Sequence, residues 1–458
     1  MKKTLRVTAY ILMLSFFSVA LSGCSFQKKP ASTATAVSNV VVAWGFEEED
    51  VWKPIVSSFQ SSNKGLILKY YKQNFDDEYE NKLLNSILAG QGPDVFPMPS
   101  DWIYRHKEKL AAAPADAKTN STGIAPYTQY APAVKDLITF DGKYYALPTT
   151  FEPLIVYYNP KLFQNAVDAY NNTHKGNEFT DARKKMAALL QEPPKNWGDF
   201  LEVAKTLTIK NGSVITQSGL GMGTSSINNS QDILYLLMLQ NETRILSEDL
   251  KIATFNSPKD TVLDPKNVPG KKALDFYTSF ANPSSANFTW SDSLGNNVQA
   301  FADGKVAMIF GYSSLQKAFL QSYPTFKYKK AYAPQLGQEQ YVTTDYAKFM
   351  AYGVSKISKN IGASWNLVKS LSQSNSLVET NKSFTPAKQA ASERNSSNSP
   401  EKSESATART FTKGRYPIQF DEQMKGAISV VNSSTQDSKT ALDLAAVGIT
   451  DLLKREQW

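Results

Sequence analysis

The run Asp141-Gly142-Lys143-Tyr144-Tyr145-Ala146-Leu147-Pro148-Thr149-Thr150-Phe151-Glu152-Pro153-Leu154-Ile155-Val156-Tyr157-Tyr158-Asn159-Pro160 decides how the chain is organised. It opens on Asp-Gly, a strong hairpin signal. Pro148 and Pro153 then flank one acidic residue, and each lacks a backbone donor, so an uninterrupted central strand across the stretch is not expected. The sequence reads instead as a segment crossing between two lobes. Leu154, Ile155, Val156 and Tyr157 form the buried strand beyond it, and Asn159-Pro160 ends that strand. Glu152, between two apolar runs, would face the crevice where two lobes meet.

Outward from this stretch, 458 residues are more than one hydrophobic core usually organises, so two or three compact units are expected. The formal charge is +8, of which Lys2, Lys3 and Arg6 supply three, leaving a mild +5. No dense basic block is interleaved with aromatics, which argues against a nucleic-acid partner. Those three bases precede an apolar run, 7–21, that is short for a membrane span and interrupted by Thr8, Ser15 and Ser18, the pattern of an export leader. The run ends in Leu21-Ser22-Gly23-Cys24, which resembles the lipobox of bacterial lipoproteins. That resemblance implies cleavage before Cys24 and lipid attachment there. Cys24 is the single cysteine, so an internal disulfide is impossible. Residues 25–39, rich in Lys, Pro, Ala, Ser and Thr, read as a flexible tether.

From Val40 the apolar pattern alternates strand, helix, strand, helix, strand. Val40 to Trp44 is a strand; Val51, Trp52, Ile55, Val56 and Phe59 recur at helical spacing; residues 66–71 form a second strand. Tyr79, Leu83, Leu84, Ile87 and Leu88 mark a second helix, and Gly92-Pro93-Asp94, with Asp94 capping the turn, leads to Val95-Phe96. This order predicts a parallel α/β sheet, with ligands outside the carboxyl ends of its strands, near Trp44, residues 47–50 and Pro99-Ser100-Asp101-Trp102. Residues 111–123 read as a surface loop and 161–190 as a charged helical elaboration. Phe200, Leu201, Val203, Ala204 and Leu207 predict a helix on the second lobe. Gly219, Gly221 and Gly223 lack a dinucleotide-binding spacing and read as a turn. Residues 301–312 run from turn to strand and deliver Tyr312 to its end. Tyr332 to Pro334 read as a second crossing, 347–355 as a strand, 389–409 as a long polar loop, and Ala441, Leu442, Leu444, Ala445, Val447, Leu452 and Leu453 as a final helix.

Taken together, these segments resemble the extracellular solute-binding proteins of ABC importers, in the sugar-binding group that includes maltose-binding protein. The matching residues are Ala89-Gly90-Gln91-Gly92-Pro93-Asp94-Val95, Asp141 to Pro148, Tyr157-Tyr158-Asn159-Pro160-Lys161-Leu162-Phe163, 193–200 and 301–308. The resemblance implies an α/β fold of two hinge-linked lobes, type II, around a ligand cleft. The division expected is 1–23 signal peptide, 24–39 tether, 40–148 with about 336–372 as lobe 1, and 149–335 with about 373–458 as lobe 2. It further implies a small-molecule solute, ABC permease partners, a membrane contact through the lipid anchor, an extracytoplasmic location, a monomer and no cofactor. Glu152 falls where these relatives place a sugar-contacting carboxylate. Tyr312 follows Phe310-Gly311 where many have Gly-Pro-Trp, so the aromatic is shifted and changed.

Sugar recognition needs flat apolar faces under a pyranose and planar polar groups at its hydroxyl rim. Trp44, Trp102, Trp290 and Tyr312 are the candidate platforms, and Glu47, Asp101 and Glu152 the candidate hydroxyl acceptors, whereas Trp52, Trp197 and Trp365 sit in helical patterns and read as packing. No metal site is indicated, and no nucleophile elbow accompanies a Ser-His-Asp order; His106 and His174 stand in polar contexts and read as solvated. The reading is a binding protein for a carbohydrate or oligosaccharide rather than an enzyme. The alternatives are a binder of a peptide or polyol phosphate, or a surface glycosidase or adhesin lipoprotein.

Overall fold

Why one chain builds two cores is visible in where its fully apolar strands fall. The computed structural model describes residues 39–115, 132–173, 181–336, 343–373, 385–386 and 407–455. The leader, Cys24, the tether up to residue 38, His174 and most of 389–409 lie outside the described residues. Residues from Ser38 onward group as one unit, within which buried apolar side chains gather into two clusters.

The first core is built on strands β1 (Val40–Gly45), β2 (Ile67–Lys72), β3 (Val95–Pro99) and β4 (Ala146–Pro153), with helices α1 (Glu49–Ser62), α2 (Tyr79–Leu88) and α3 (Ser100–Arg105). Trp52, Ile55 and Phe59 fall on one face of α1 and are buried, each stabilising the fold by roughly 1.5–3 kcal/mol through removal of apolar area from water. The β1–α1–β2–α2–β3 order of the sequence reading is present, and β1 is parallel to both β2 and β3. The sheet is mixed rather than parallel throughout, because a later strand, named below, returns antiparallel between β3 and β4. Asp141-Gly142 makes the expected hairpin between Thr139–Phe140 and Lys143–Tyr144, with φ of 51° and 71° at its two central residues.

The stretch is interrupted as expected, at Tyr145 and Leu154, but not at its prolines. β4 runs unbroken through Pro148 to Pro153, although it lies between two strands. The register shifts between Met350 and Ala351, opposite Pro148 and Thr150, so the proline sits at an irregularity in the ladder where a missing N–H costs little. The break comes later, at Leu154.

The second core surrounds β5 (Ile155–Tyr158), buried at every position, which pairs antiparallel on one side with β6 (Met308–Gly311) and on the other with β7 (Lys329–Ala331). Around it stand α4 (Pro160–Thr173), α5 (Asp181–Leu189), α6 (Trp197–Thr206), α7 (Ser230–Gln240) and α8 (Pro269–Ser279). Gly219 belongs to this packing rather than to a simple turn: a Cβ there would stand 1.8 Å from the Ala204 carbonyl oxygen, so only glycine admits the approach.

β8 (Asp345–Val354) then enters the first sheet, β9 (Thr385–Pro386) pairs with β4 at Phe151 and Thr150, and β10 (Ala408–Arg409) pairs with β8. The sheet order is β9-β4-β8-β3-β1-β2, with β10 beside β8. Helix α9 (Ile361–Gln373) covers it, and α10 (Pro417–Asn432) and α11 (Ser438–Lys454) pack on the second core. Trp52, Trp197 and Trp365 are packing residues, as read. Leu444 and Val447, counted among the apolar positions of the last helix, are exposed.

Among the described residues the chain changes core at three places. Phe151 belongs to the first core and Leu154 to the second; Tyr346 belongs to the second and Ala347 to the first; Ala408 belongs to the first, while Phe411 packs on the second. Residues 385–386, in β9, and 408–409, in β10, both pair with strands of the first sheet.

Candidate functional site

Polar side chains collect where the cores change over. On β4, Glu152 is in register with Lys348 of β8, and the Lys348 ammonium donates to Asp232 Oδ2 of α7 at 2.7 Å. The same ammonium lies 5.2 Å from the ring centroid of Tyr312, just past β6. One face of Tyr312 is therefore occupied by a cation. Its buried hydroxyl makes no hydrogen bond of normal geometry among the described residues, and the Asp232 carboxylate beside it adds to burial in holding its proton. Tyr312 thus presents a polar tip here, where the sequence reading assigned it a flat platform. Its carbonyl accepts from the Tyr157 hydroxyl at 2.9 Å, which ties it to β5.

Glu152 accepts from the Ser314 backbone N–H at 3.2 Å. Burial pushes its carboxyl above the ordinary 4.5, against the opposing pull of Ser314, Ser313 and Lys348. Beyond it lies a second charged group. Lys413, whose side chain is fully buried, stands 3.3 Å from Asp101 Oδ2 and 2.9 Å from Asp421 Oδ1. Tyr235 donates to Asp421 Oδ1 at 2.8 Å, and its ring lies 5.1 Å from the Lys413 ammonium. Burial raises the Asp421 carboxyl, while Lys413 opposes the rise.

Among the described residues, several buried atoms in this group make no hydrogen bond of normal geometry: the hydroxyls of Tyr312 and Tyr346 and Oδ1 of both Asp101 and Asp232. Leaving such atoms unpaired costs about 1–3 kcal/mol each, so a cluster of them is a place for outside donors and acceptors. Of the residues read from the sequence, Glu152, Tyr312 and Asp101 come together here. Lys348, Asp232, Tyr346 and Lys413 were missed.

The other candidates lie elsewhere. Trp44 and Trp102 flank Tyr79 in an aromatic group at the carboxyl end of β1 and the start of α3: Trp102 stacks on Tyr79 at 6.0 Å and 14°, and Trp44 tilts against it at 6.4 Å. Phe46 and Phe75 complete the group, and Phe75 is 56% exposed. Phe75 is the open apolar face that the sequence reading passed over, although a lone aromatic in a polar loop after a strand was a usable signal. Glu47 holds α1 in place: its Oε2 accepts from Trp52 Nε1 at 3.1 Å, the Phe46 N–H at 3.2 Å and the Tyr352 hydroxyl at 3.3 Å. Trp290 is fully buried in the second core, donating to Asp292 Oδ1 at 2.9 Å and Thr224 Oγ1 at 3.3 Å, so it supports the core and not the site.

Two further readings are corrected. His106 is buried, with Nε2 2.7 Å from Glu80 Oε1, and burial lowers its pKa despite that carboxylate. Asp94 reaches back to β1, its Oδ2 accepting from the Val42 N–H at 2.7 Å. Among the described residues no group of three or more His, Cys, Asp or Glu could hold a metal ion, and no helix is long and apolar enough to cross a membrane.

Comparison with known proteins agrees with this architecture. The chain is 28% identical over 228 residues to a maltodextrin-binding protein of Bacillus subtilis, a match covering 48% of this chain and 50% of that one. The chain thus spans about half the length of that curated relative. Among solved structures, the cyclic alpha-maltosyl-1,6-maltose binding protein of Arthrobacter globiformis superposes with a TM-score of 0.67 at 16% identity, over 91% of this chain and 99% of that one. The sugar-binding protein MalE of Xanthomonas citri gives 0.67 at 16% identity, over 92% and 98%. At such identities the likeness concerns the fold, an α/β architecture of two hinge-linked lobes of type II. Residues 55–407 match the family described as bacterial extracellular solute-binding protein, and with a match over more than half its length the chain belongs to that family.

Proposed function

We propose that this chain is the receptor of an ABC importer, binding a carbohydrate or oligosaccharide between its two lobes and releasing it unaltered to a permease. The observation carrying this reading is the set of buried hydrogen-bonding groups of Tyr312, Tyr346 and Asp232, with atoms left without a bond of normal geometry among the described residues, at the change of core beside Glu152. Hydroxyl-rich solutes supply both donors and acceptors to such atoms. The aromatic group around Trp102 and Phe75 offers apolar faces for the C–H side of a sugar ring. That related proteins bear the names of maltodextrin and cyclic maltosyl-maltose binders supports the same class of solute.

The lobes are assigned to the two cores, with hinges at 151–154, 346–347 and 408–411. A solute touching both lobes only when they are closed shifts the population toward closure, which is how binding is signalled. Cys24 is the proposed lipid attachment site, which would hold a monomeric receptor on the outer face of the membrane.

Titrating the leader-free chain with a glycan panel tests the reading. Intrinsic fluorescence should change saturably with an oligosaccharide, and chromatography should recover that sugar intact. Shortened products, or no response to any glycan, would overturn it. Cys24→Ser in the full chain should move the protein from the membrane to the soluble fraction.

A further inference from the structure

Lys413 is joined to both cores, and the two joints are not equivalent. Asp421 lies on α10, eight residues along the same backbone, and α10 packs on the core that Phe411 and Phe420 also join. Asp101 lies on α3, attached to the first core, 312 positions away in the chain. Were the cores to rotate about the three crossings, Lys413 and Asp421 would move together, whereas Lys413 and Asp101 would move with different cores. The ammonium is completely shielded from solvent, and the Asp101 and Asp421 side chains are 16% and 20% exposed.

We infer that Asp101 and Lys413 form a closure latch that sets the apparent solute affinity from outside the solute contacts. The inference rests on the hinge-closing reading above. A receptor whose competent state is only partly populated binds with an affinity reduced by that fraction, so a pair made only in the closed state tightens binding of every solute that needs closure. Burial makes such a pair poor as a source of net fold stability but sensitive to loss of one partner, because the other charge is then stranded. Lys413 escapes stranding on opening, since it keeps Asp421 and gains water. The geometry therefore suits a reversible joint.

The test is a double-mutant cycle on the leader-free chain with Asp101→Asn, Lys413→Gln and the pair. Small-angle scattering without solute reads the balance of open and closed forms, and calorimetry with a maltotriose-to-maltoheptaose mixture reads affinity. Each single variant should shift the solute-free ensemble toward the open form and weaken binding by about tenfold or more. The double variant should be no worse than the poorer single variant. The latch is overturned if the two losses simply add, or if Asp101→Asn weakens binding while leaving the solute-free ensemble as in the wild type, which would make Asp101 a direct solute contact. Should none of these sugars bind the wild type, the scattering cycle alone decides the latch, and the sugar reading fails separately.

Discussion

Asp345 opens β8 at the second change of core, fully buried, with Gln335 Nε2 donating to its Oδ1 at 2.8 Å and the Thr407 hydroxyl to its Oδ2. No cation is paired with it among the described residues, and burial raises its carboxyl from 3.8 to about 7. The folded protein therefore holds this proton where the unfolded chain has released it. The stability that the protonated group allows is fully present below pH 3.8 and is lost as pH rises to about 7. At about 1.4 kcal/mol per pH unit, the loss above neutrality approaches about 4 kcal/mol as an upper limit. Asp345→Asn removes the ionisation and can keep both hydrogen bonds, its carbonyl accepting from Gln335 and its amide donating to the rotatable Thr407 hydroxyl. The variant should match the wild type near pH 4 and exceed it by about 2–4 kcal/mol at pH 8, read from urea unfolding at several pH values. A stability difference that stays constant across that range would refute the reasoning, since it would mean that Asp345 does not titrate between the two pH limits.

Three other substitutions separate site from scaffold. Tyr312→Phe removes one buried hydroxyl that makes no hydrogen bond of normal geometry among the described residues; binding of the cognate sugar should weaken about tenfold while the urea midpoint holds or rises slightly. Trp290→Phe removes the indole donor to Asp292 and leaves space in a fully buried position, while Asp292 keeps Thr224 and Ser226 as donors, so unfolding should come about 1–3 kcal/mol earlier, and an altered sugar affinity would contradict its place in the core. Gly219→Ala drives a methyl into the Ala204 carbonyl oxygen, and a loss of about 3 kcal/mol or more is expected in chemical unfolding; a wild-type midpoint would show that the backbones are not so close.

Local signals in the sequence carried much of the fold. Alternating apolar periods placed the first three strands and two helices, and Asp141-Gly142 placed a hairpin, because these depend on neighbours within a few residues. Pro148 misled, because a proline's cost depends on the strand opposite, and the irregularity that accommodates it lies at Met350, about two hundred positions away. Trp290 misled for a related reason. A tryptophan at the end of a loop pattern reads the same whether its indole meets solvent or Asp292.

The site was the least legible part, and the reason is topological. Glu152 could be found because a crossing segment announces itself through its prolines and its apolar flanks. Its working partners carry no such mark: Ser314 is 162 positions from Glu152, Asp232 is 116 from Lys348, and Asp101 is 312 from Lys413. Lys348 lies inside a strand and Lys413 after a polar stretch, and both would pass for solvated surface charges in a sequence. What distinguishes them is that each is drawn to the change of core, where backbone from both sheets converges and carboxylates from separate helices can share one ammonium. Under the proposed function, these groups would lose water together when the lobes meet. Such groups are recruited from whichever elements reach the seam, which is why they become visible only once the cores are assigned.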